Sequence, residues 1–468
     1  MKTIQGKPFS ALSGLVFAWI SITALVPISI VFVVLWKGRN AFNLLLQEGP
    51  FSSLPITLSS VIIAWLLIGL FVILFRFGKI NESNIATWVG LLLVSFLYLN
   101  VLRDHLIYGD LMPYLRGAAA LLHQRSFSHT YRYPPLWAIL LQPLVELGTP
   151  TATNILWVFN ILSLSLFYFL GALILRRYGF SERMSAIVMA VFMVANVPVL
   201  RTMYYMQVNL HVLNFVFSSI LLRRRSAFLS ALAMAIAIHL KLSPALLVLA
   251  FLLERDWRWL IWLAVTTSVI FGLTLLTNGF SPYRDFLFNM NLLNQPLNPN
   301  FRNTSFDSLL WPLVDFLNLS STLVHAMIYA CKAALAVGSF FTIYYTIKNC
   351  ALYDGEMPLL FNTLPTLMIL MTMTSPLVWE HHGVFLALSF LVLLKKLTTP
   401  SEWAWFGTAY FFEFFLPTFD FYPWSYGRLA ATLIILGLLW ITSKRRENSP
   451  FFSAFDRWTE TMPLPLAG

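Results

Sequence analysis

Long apolar runs, each closed by a few polar or basic residues, repeat along the whole chain. A bilayer core about 30 Å thick takes around 20 apolar residues in helical form, and this ruler predicts spans at residues 12–36, 56–75, 86–102, 152–175, 184–200 and 208–222. The second half continues with 226–240, 242–253, 257–277, 322–346, 359–374, 384–394, 403–418 and 426–442. The pattern predicts an all-α polytopic membrane protein with about fourteen transmembrane helices, several of them short. Residues 134–147 (PPLWAILLQPLVEL) are apolar but short, and a crossing there would put Arg176 and Arg177 outside, so the segment reads as juxtamembrane or re-entrant.

The basic residues agree with that count. With the N-terminus inside, Arg76 and Lys79, Arg176 with Arg177 and Arg183, Arg223 to Arg225, Arg255 with Arg258, Lys348, Lys395 with Lys396, and Lys444 to Arg446 all fall on the cytoplasmic side. Lys37 and Arg39 are the exception. The expected organisation is an N-terminal transmembrane hairpin (1–85), a central transmembrane core (86–396) with outer loops 103–151 and 278–321, a C-terminal transmembrane hairpin (397–442) and a cytoplasmic tail (443–468). The first run is longer than a signal-peptide core and lacks a convincing cleavage site, so it is expected to remain as a span. This is the pattern of a multi-pass inner-membrane protein with both termini cytoplasmic.

Composition narrows the class. Of 468 residues 58% are apolar and 11% charged, with a mean hydropathy of +0.74, which excludes an ordinary soluble domain. The balance of 31 basic against 20 acidic residues is spread through the loops, so it reports orientation rather than nucleic-acid binding. Cys331 and Cys350 sit on one helical run, roughly 28 Å apart at 1.5 Å per residue, too far to bridge. The sequence has no Walker A, GxGxxG, HExxH or DxD pattern and no Cys/His spacing for zinc, so no cofactor and no metal are expected.

The polar residues then carry the chemistry, because an ionisable side chain at membrane depth is costly unless it lines a cavity, pairs or does work. Asp104, Asp110, Gln207, Asn209, Lys241, Asn303, Ser305, Glu380, His381 and His382 all come out on the outer face. Asp110 shares a helical face with Tyr114, Gly117, Ala118 and Leu121, and serves either as a proton acceptor or as a helix N-cap. Arg116, Arg125, Arg132, Arg201, Lys241, Arg284 and Arg302 are outer cations suited to phosphate oxygens, or alternatively to lipid headgroups and local ion pairs. Glu380-His381-His382 reads as a polar ligand contact, a helix start or, least well, a metal site. His239 and His325 read as buried, satisfied helix histidines, and Asn303-Thr304-Ser305 as a chance glycosylation pattern. Tyr131, Tyr133, Trp311 and Trp379 stand at the outer boundary, where belt and sugar-platform roles overlap.

The ordered blocks YGDLMPYLRGAAALL, YRYPPLWAILLQPL, MQVNLHVLNF, LKLSPALLVL, NTSFDSLL and SPLVWEHHGVFL resemble the GT-C membrane glycosyltransferases, specifically glycosyltransferase family 87, from about Asp110 to about Leu394. The family usually has a glycine before the Gln-x-Asn block, where this chain has Met206, and commonly Asn-Gln-Ser where this chain has Asn303-Thr304-Ser305. The resemblance implies a GT-C-like fold and transfer of a hexose, mannose foremost, from a polyprenyl-phosphate sugar to a lipid or glycan acceptor. It implies Asp110 as catalytic base and His381 or His382 near the donor phosphate. Lys241, Arg116 and Arg302 are expected at the donor, with Gln207, Asn209, Asn303, Glu380 and Tyr133 lining the cavity. A leaving phosphate needs cations rather than an acid, so a single base suffices and the anomeric centre inverts. The alternative is a transporter or flippase of a lipid-linked glycan, for which Lys332 within an apolar helix is the best feature. A purely structural subunit leaves the polar clustering unexplained.

Overall fold

A bilayer interior offers nothing to replace a backbone hydrogen bond, so apolar runs of this length fold as helices. The computed structural model describes residues 11–47, 54–102, 110–194, 196–292, 303–350, 358–415 and 426–445. It begins with α1 (Ala11–Gln47), α2 (Leu54–Arg76), α3 (Glu82–Leu97), α4 (Leu111–Leu122), α5 (Pro135–Val145), α6 (Thr149–Arg177), α7 (Glu182–Val194), α8 (Val197–Tyr204), α9 (Asn209–Leu222) and α10 (Ala227–Leu240). There follow α11 (Val248–Leu253), α12 (Trp257–Asn278), α13 (Ser281–Asn291), α14 (Phe306–Leu310), α15 (Leu313–Leu317), α16 (Ser321–Cys350), α17 (Pro358–Met373), α18 (Ala387–Leu393), α19 (Pro400–Tyr410) and α20 (Gly427–Ser443). Among the described residues the one β-type pairing is an isolated bridge between Asn303 and Trp379.

Five described helices are long and apolar enough to cross a membrane, and a sixth is added if α7 and α8, bent by 66°, form one span. The other apolar helices run 10–17 residues, so the expected count of about fourteen exceeds the helices that reach across alone. The breaks have local causes. The predicted span 184–200 ends in α7 and restarts at Asn196, whose side chain accepts from the Val199 amide at 3.0 Å just ahead of Pro198. The predicted span 242–253 opens as a 3-10 turn, Ser243–Leu247, with Pro244 at its start. The predicted span 384–394 opens likewise as the 3-10 segment Glu380–Leu386. Lys37 and Arg39 flank Gly38, whose φ of 81° interrupts α1. Cys331 and Cys350 lie along the single helix α16, and Cys331 is free.

Both faces of the long helices are apolar. In α6, Val158, Phe159, Leu162, Leu166, Phe169 and Leu173 are exposed, while Leu156, Asn160, Ser163, Leu164, Phe167 and Leu170 are buried. An exposed stripe of that size is a surface for lipid rather than water. Polar glue joins the inner faces: Asn214 of α9 donates to the Ser163 carbonyl of α6 at 2.7 Å, and Trp259 of α12 donates to Ser230 of α10 at 2.8 Å.

Helix direction separates two ends of the bundle. α9 runs from Asn209 to the turn at Arg223, and α10 returns from that turn to Lys241, against α12. Arg223 is ion-paired with Glu254 and, at 2.8 Å, with Asp256. Arg445, after α20, pairs with Glu402 at the start of α19. The arginine-rich turn therefore lies at the end of this helix pair opposite Asn209 and Lys241. Between α3 and α6 the short helices α4 and α5 lie against each other, and eleven-residue α5 spans only about 16 Å, too short to cross a bilayer alone.

Candidate active site

Asp110 occupies the N-cap position of α4 with αR backbone angles, and its side chain caps no backbone amide. The capping alternative is therefore not what this carboxylate does. Its own N–H donates to the Tyr205 carbonyl at 3.2 Å, tying the start of α4 to the end of α8. The predicted face is borne out, with Tyr114, Gly117, Ala118 and Leu121 all buried. Gly117 is required there, since a Cβ would stand 2.6 Å from the Tyr131 ring.

Tyr205 and the residues after it form the helix stop that delivers the next groups. The Met206 amide donates to the Met203 carbonyl at 3.1 Å and the Gln207 amide to the Thr202 carbonyl at 2.9 Å, a Schellman arrangement with Met206 at the left-handed position, φ 53°. Gln207 emerges fully buried, and its Oε1 accepts the Tyr114 hydroxyl at 3.0 Å and the Tyr133 hydroxyl at 3.3 Å. Tyr133 is held by its neighbour Tyr131, whose hydroxyl donates to the Pro134 carbonyl at 3.2 Å and accepts the Ala138 amide at 3.0 Å. Two residues on from Gln207, Asn209 opens α9 and accepts from Lys241 Nζ at 2.8 Å. Lys241 is extended (φ −152°, ψ 127°) where α10 stops, which turns its side chain back toward that junction.

The fourth segment is Trp379–Leu386. The His381 carbonyl accepts Asn209 Nδ2 and Thr202 Oγ1, each at 3.3 Å, and the His381 ring meets Tyr205 edge-on at 5.9 Å. His382 Nδ1 accepts the Trp379 amide at 3.3 Å, so this imidazole is engaged in its own turn and His381 is the one turned toward α8 and α9. Phe385 lies under Lys241 Nζ at 5.1 Å.

Electrostatics bind these pieces into one cluster. Burial pushes the Asp110 carboxyl up to about 6, with the Lys241 and Arg132 charges pulling the other way. Burial and the Asp110 charge also push the Tyr114 and Tyr133 phenols up, so both remain protonated donors. In this cluster the buried donor atoms Arg132 Nε, Gln207 Nε2 and Trp137 Nε1 have no hydrogen-bond partner among the described residues. The Trp137 ring meets that of Tyr114 at 5.9 Å. Unpaired buried donors are costly, and here they favour a ligand rich in acceptor oxygens.

The structure thus brings together Asp110, Tyr133, Gln207, Asn209, Lys241 and His381. Arg116 departs from expectation: it lies on the exposed face of α4, because six residues at 100° each turn it about 240° from Asp110. Arg302 lies outside the described residues. Asn303 is a buried strap, donating to the Pro376 carbonyl at 2.9 Å and accepting the Val378 amide at 2.7 Å, which also removes it as a glycosylation acceptor. Glu380 does not face the cluster with a free carboxylate; it is paired with Arg201 and Arg428. Arg201, read as an outer cation for anions, is accordingly tied up, whereas the Arg132 charge is felt at Asp110. Arg125 and Arg284 are exposed. His239 is satisfied by the Thr267 carbonyl at 3.2 Å, and half-buried His325 packs on Trp311. Missed from the sequence were Trp137, Arg428 and Glu413; for the last two, a lone charge within an apolar run was the available signal.

A family model for glycosyltransferase family 87 matches residues 131–376, more than half of the chain. The chain belongs to glycosyltransferase family 87 and is a membrane glycosyltransferase. No curated protein matches it. The matched segment holds Arg132, Tyr133, Gln207, Asn209, Lys241 and Asn303, while Asp110 precedes it and Glu380, His381 and His382 follow it.

Proposed function

We propose that the protein moves a hexose, mannose being the first candidate, from a polyprenyl-phosphate sugar to a lipid or glycan acceptor at the extracytoplasmic face, with inversion and with Asp110 as the base. The observation that carries this reading is a buried carboxylate that caps nothing, flanked by two cations. In the step, the acceptor oxygen bonds the anomeric carbon while its proton passes to Asp110. The opposite bond, from that carbon to the phosphate oxygen, breaks, and the polyprenyl phosphate leaves with the electron pair. Lys241 and Arg132 answer the charge growing on the phosphate, and the leaving group needs no protonation. The His381 imidazole completes the donor side, Gln207 and Asn209 offer hydrogen bonds to the sugar, and no divalent metal or other cofactor is required.

The membrane placement follows from charge. The arginine-rich turn after α9 lies opposite the cluster along the helix pair, and the positive-inside rule assigns such turns to the cytoplasm, with the termini, in an inner membrane. Acceptor and donor therefore meet Asp110 from the outer side. The flippase alternative loses its best feature, because Lys332, within the apolar helix α16, is paired with Asp307 at 2.6 Å. The direct test incubates purified protein with a panel of polyprenyl-phosphate sugars and membrane lipid extract, reading product mass. A hexose increment with one donor is expected; labelled glycan crossing vesicles without a new glycosidic bond would overturn the reading in favour of transport.

A further inference from the structure

Arg428, in the first turn of α20, is buried and directs its guanidinium at the segment that carries His381. Its Nη2 meets Glu380 Oε1 at 2.6 Å and its Nη1 reaches the Glu380 carbonyl at 3.5 Å. The other carboxylate oxygen takes the Arg201 guanidinium from α8. A second carboxylate, Glu413 in the π turn Phe411–Phe415, presses on the same segment: its Oε1 lies 2.5 Å from where a Cβ on Gly383 would stand. Three regions distant in sequence thus converge on Glu380–Leu386.

Buried ion arrays of this kind are poor stabilisers, because dehydrating the charges costs about what their attraction returns, and apolar side chains of equal volume often do as well. Their better use is to fix one arrangement. The arrangement here needs fixing, since a 3-10 segment has weaker internal hydrogen bonds than an α-helix. Immediately after Glu380, the His381 carbonyl holds Asn209, and Asn209 holds Lys241; at the far end of the segment, Phe385 supports the Lys241 ammonium. Displacing Glu380 therefore displaces both contacts that set the position of Lys241.

We propose that Glu380, clamped between Arg201 and Arg428, is a positioning residue for transfer, and that α20, beyond the family-matched segment, thereby governs turnover without touching substrate. The effect on turnover rests on reading the cluster as the glycosyl-transfer site. The test compares Arg428→Ala and Arg428→Lys with wild type in nanodiscs, by donor kinetics and by hydrogen exchange of residues 377–386 and 427–443. Arg428→Ala is expected to lose about ten- to a hundred-fold in kcat while the donor KM stays within about two-fold, and Arg428→Lys to recover a substantial part. Exchange should rise over 377–386 while α20 stays protected. Unchanged kcat would overturn the proposal, as would a loss shared by kcat, KM and α20 protection that Arg428→Lys does not rescue. If no polyprenyl-phosphate sugar reacts with wild type, the functional reading falls, and exchange alone decides the clamp: unchanged protection over 377–386 in Arg428→Ala overturns it.

Discussion

Burial makes the Asp110 carboxylate reluctant to ionise, and Lys241 and Arg132 only partly offset this, leaving it near 6 instead of the ordinary 3.8. A base must be unprotonated to accept a proton, while the Lys241 ammonium must stay protonated to meet the phosphate and burial pushes it down to about 7; kcat/KM should therefore rise near pH 6 and fall again above about pH 7, and a rising limb near pH 4 would contradict the environment described. The sign for stability runs the other way. The folded state holds the Asp110 proton more tightly than the unfolded chain, so stability falls as pH rises from about 4 to about 6, by on the order of 2–3 kcal/mol, and stays lower above that. Asp110 was legible as a candidate because its helical face could be read from spacing. That it caps nothing was not, because capping depends on the backbone angles and side-chain rotamer at one residue. Arg116 misled because proximity in sequence says little when six residues turn the side chain to the far side of the helix.

At the scale of elements, the candidate site is assembled from interruptions. The stop of α8, the extended break at Lys241 and the 3-10 segment at Glu380 each place a polar group where a continuous span would have hidden it. Hydropathy found the apolar mass of these segments but read 184–200, 242–253 and 384–394 as plain crossings, since Asn, Pro and Gly signals are weak beside long apolar runs. The Schellman stop also accounts for the family's usual glycine before Gln207: the position has φ 53°, where a side chain is strained. Met206 keeps its strain in exchange for a buried side chain, 4% exposed. Both Met206→Ala and Met206→Gly should lose about 2–3 kcal/mol of packing, but glycine releases about 1 kcal/mol of backbone strain. Thermal unfolding in detergent should therefore find Met206→Gly no less stable than Met206→Ala, the reverse of the usual order; a clearly less stable glycine variant would contradict the left-handed assignment.

Among the described residues, an early helix packs on a late one. α1 lies along α19, so closely that a Cβ on Gly407 would stand 3.0 Å from the Ala18 carbonyl oxygen. Such pairings between distant segments leave no periodic trace in either, which is why the helical class and many element boundaries were readable from the sequence while the Arg201–Glu380–Arg428 clamp was not. The basic clusters between apolar runs were readable, because a charge bias acts on each loop separately. The central claim is that one buried, uncapped carboxylate serves transfer at the expense of stability, and Asp110→Asn tests it most directly. Measured side by side with wild type for hexose transfer and for thermal unfolding at neutral pH, the variant is expected to lose transfer by about a thousand-fold or more while unfolding at a higher temperature. A variant that keeps its activity, or that loses it only because it unfolds more easily, would contradict the account.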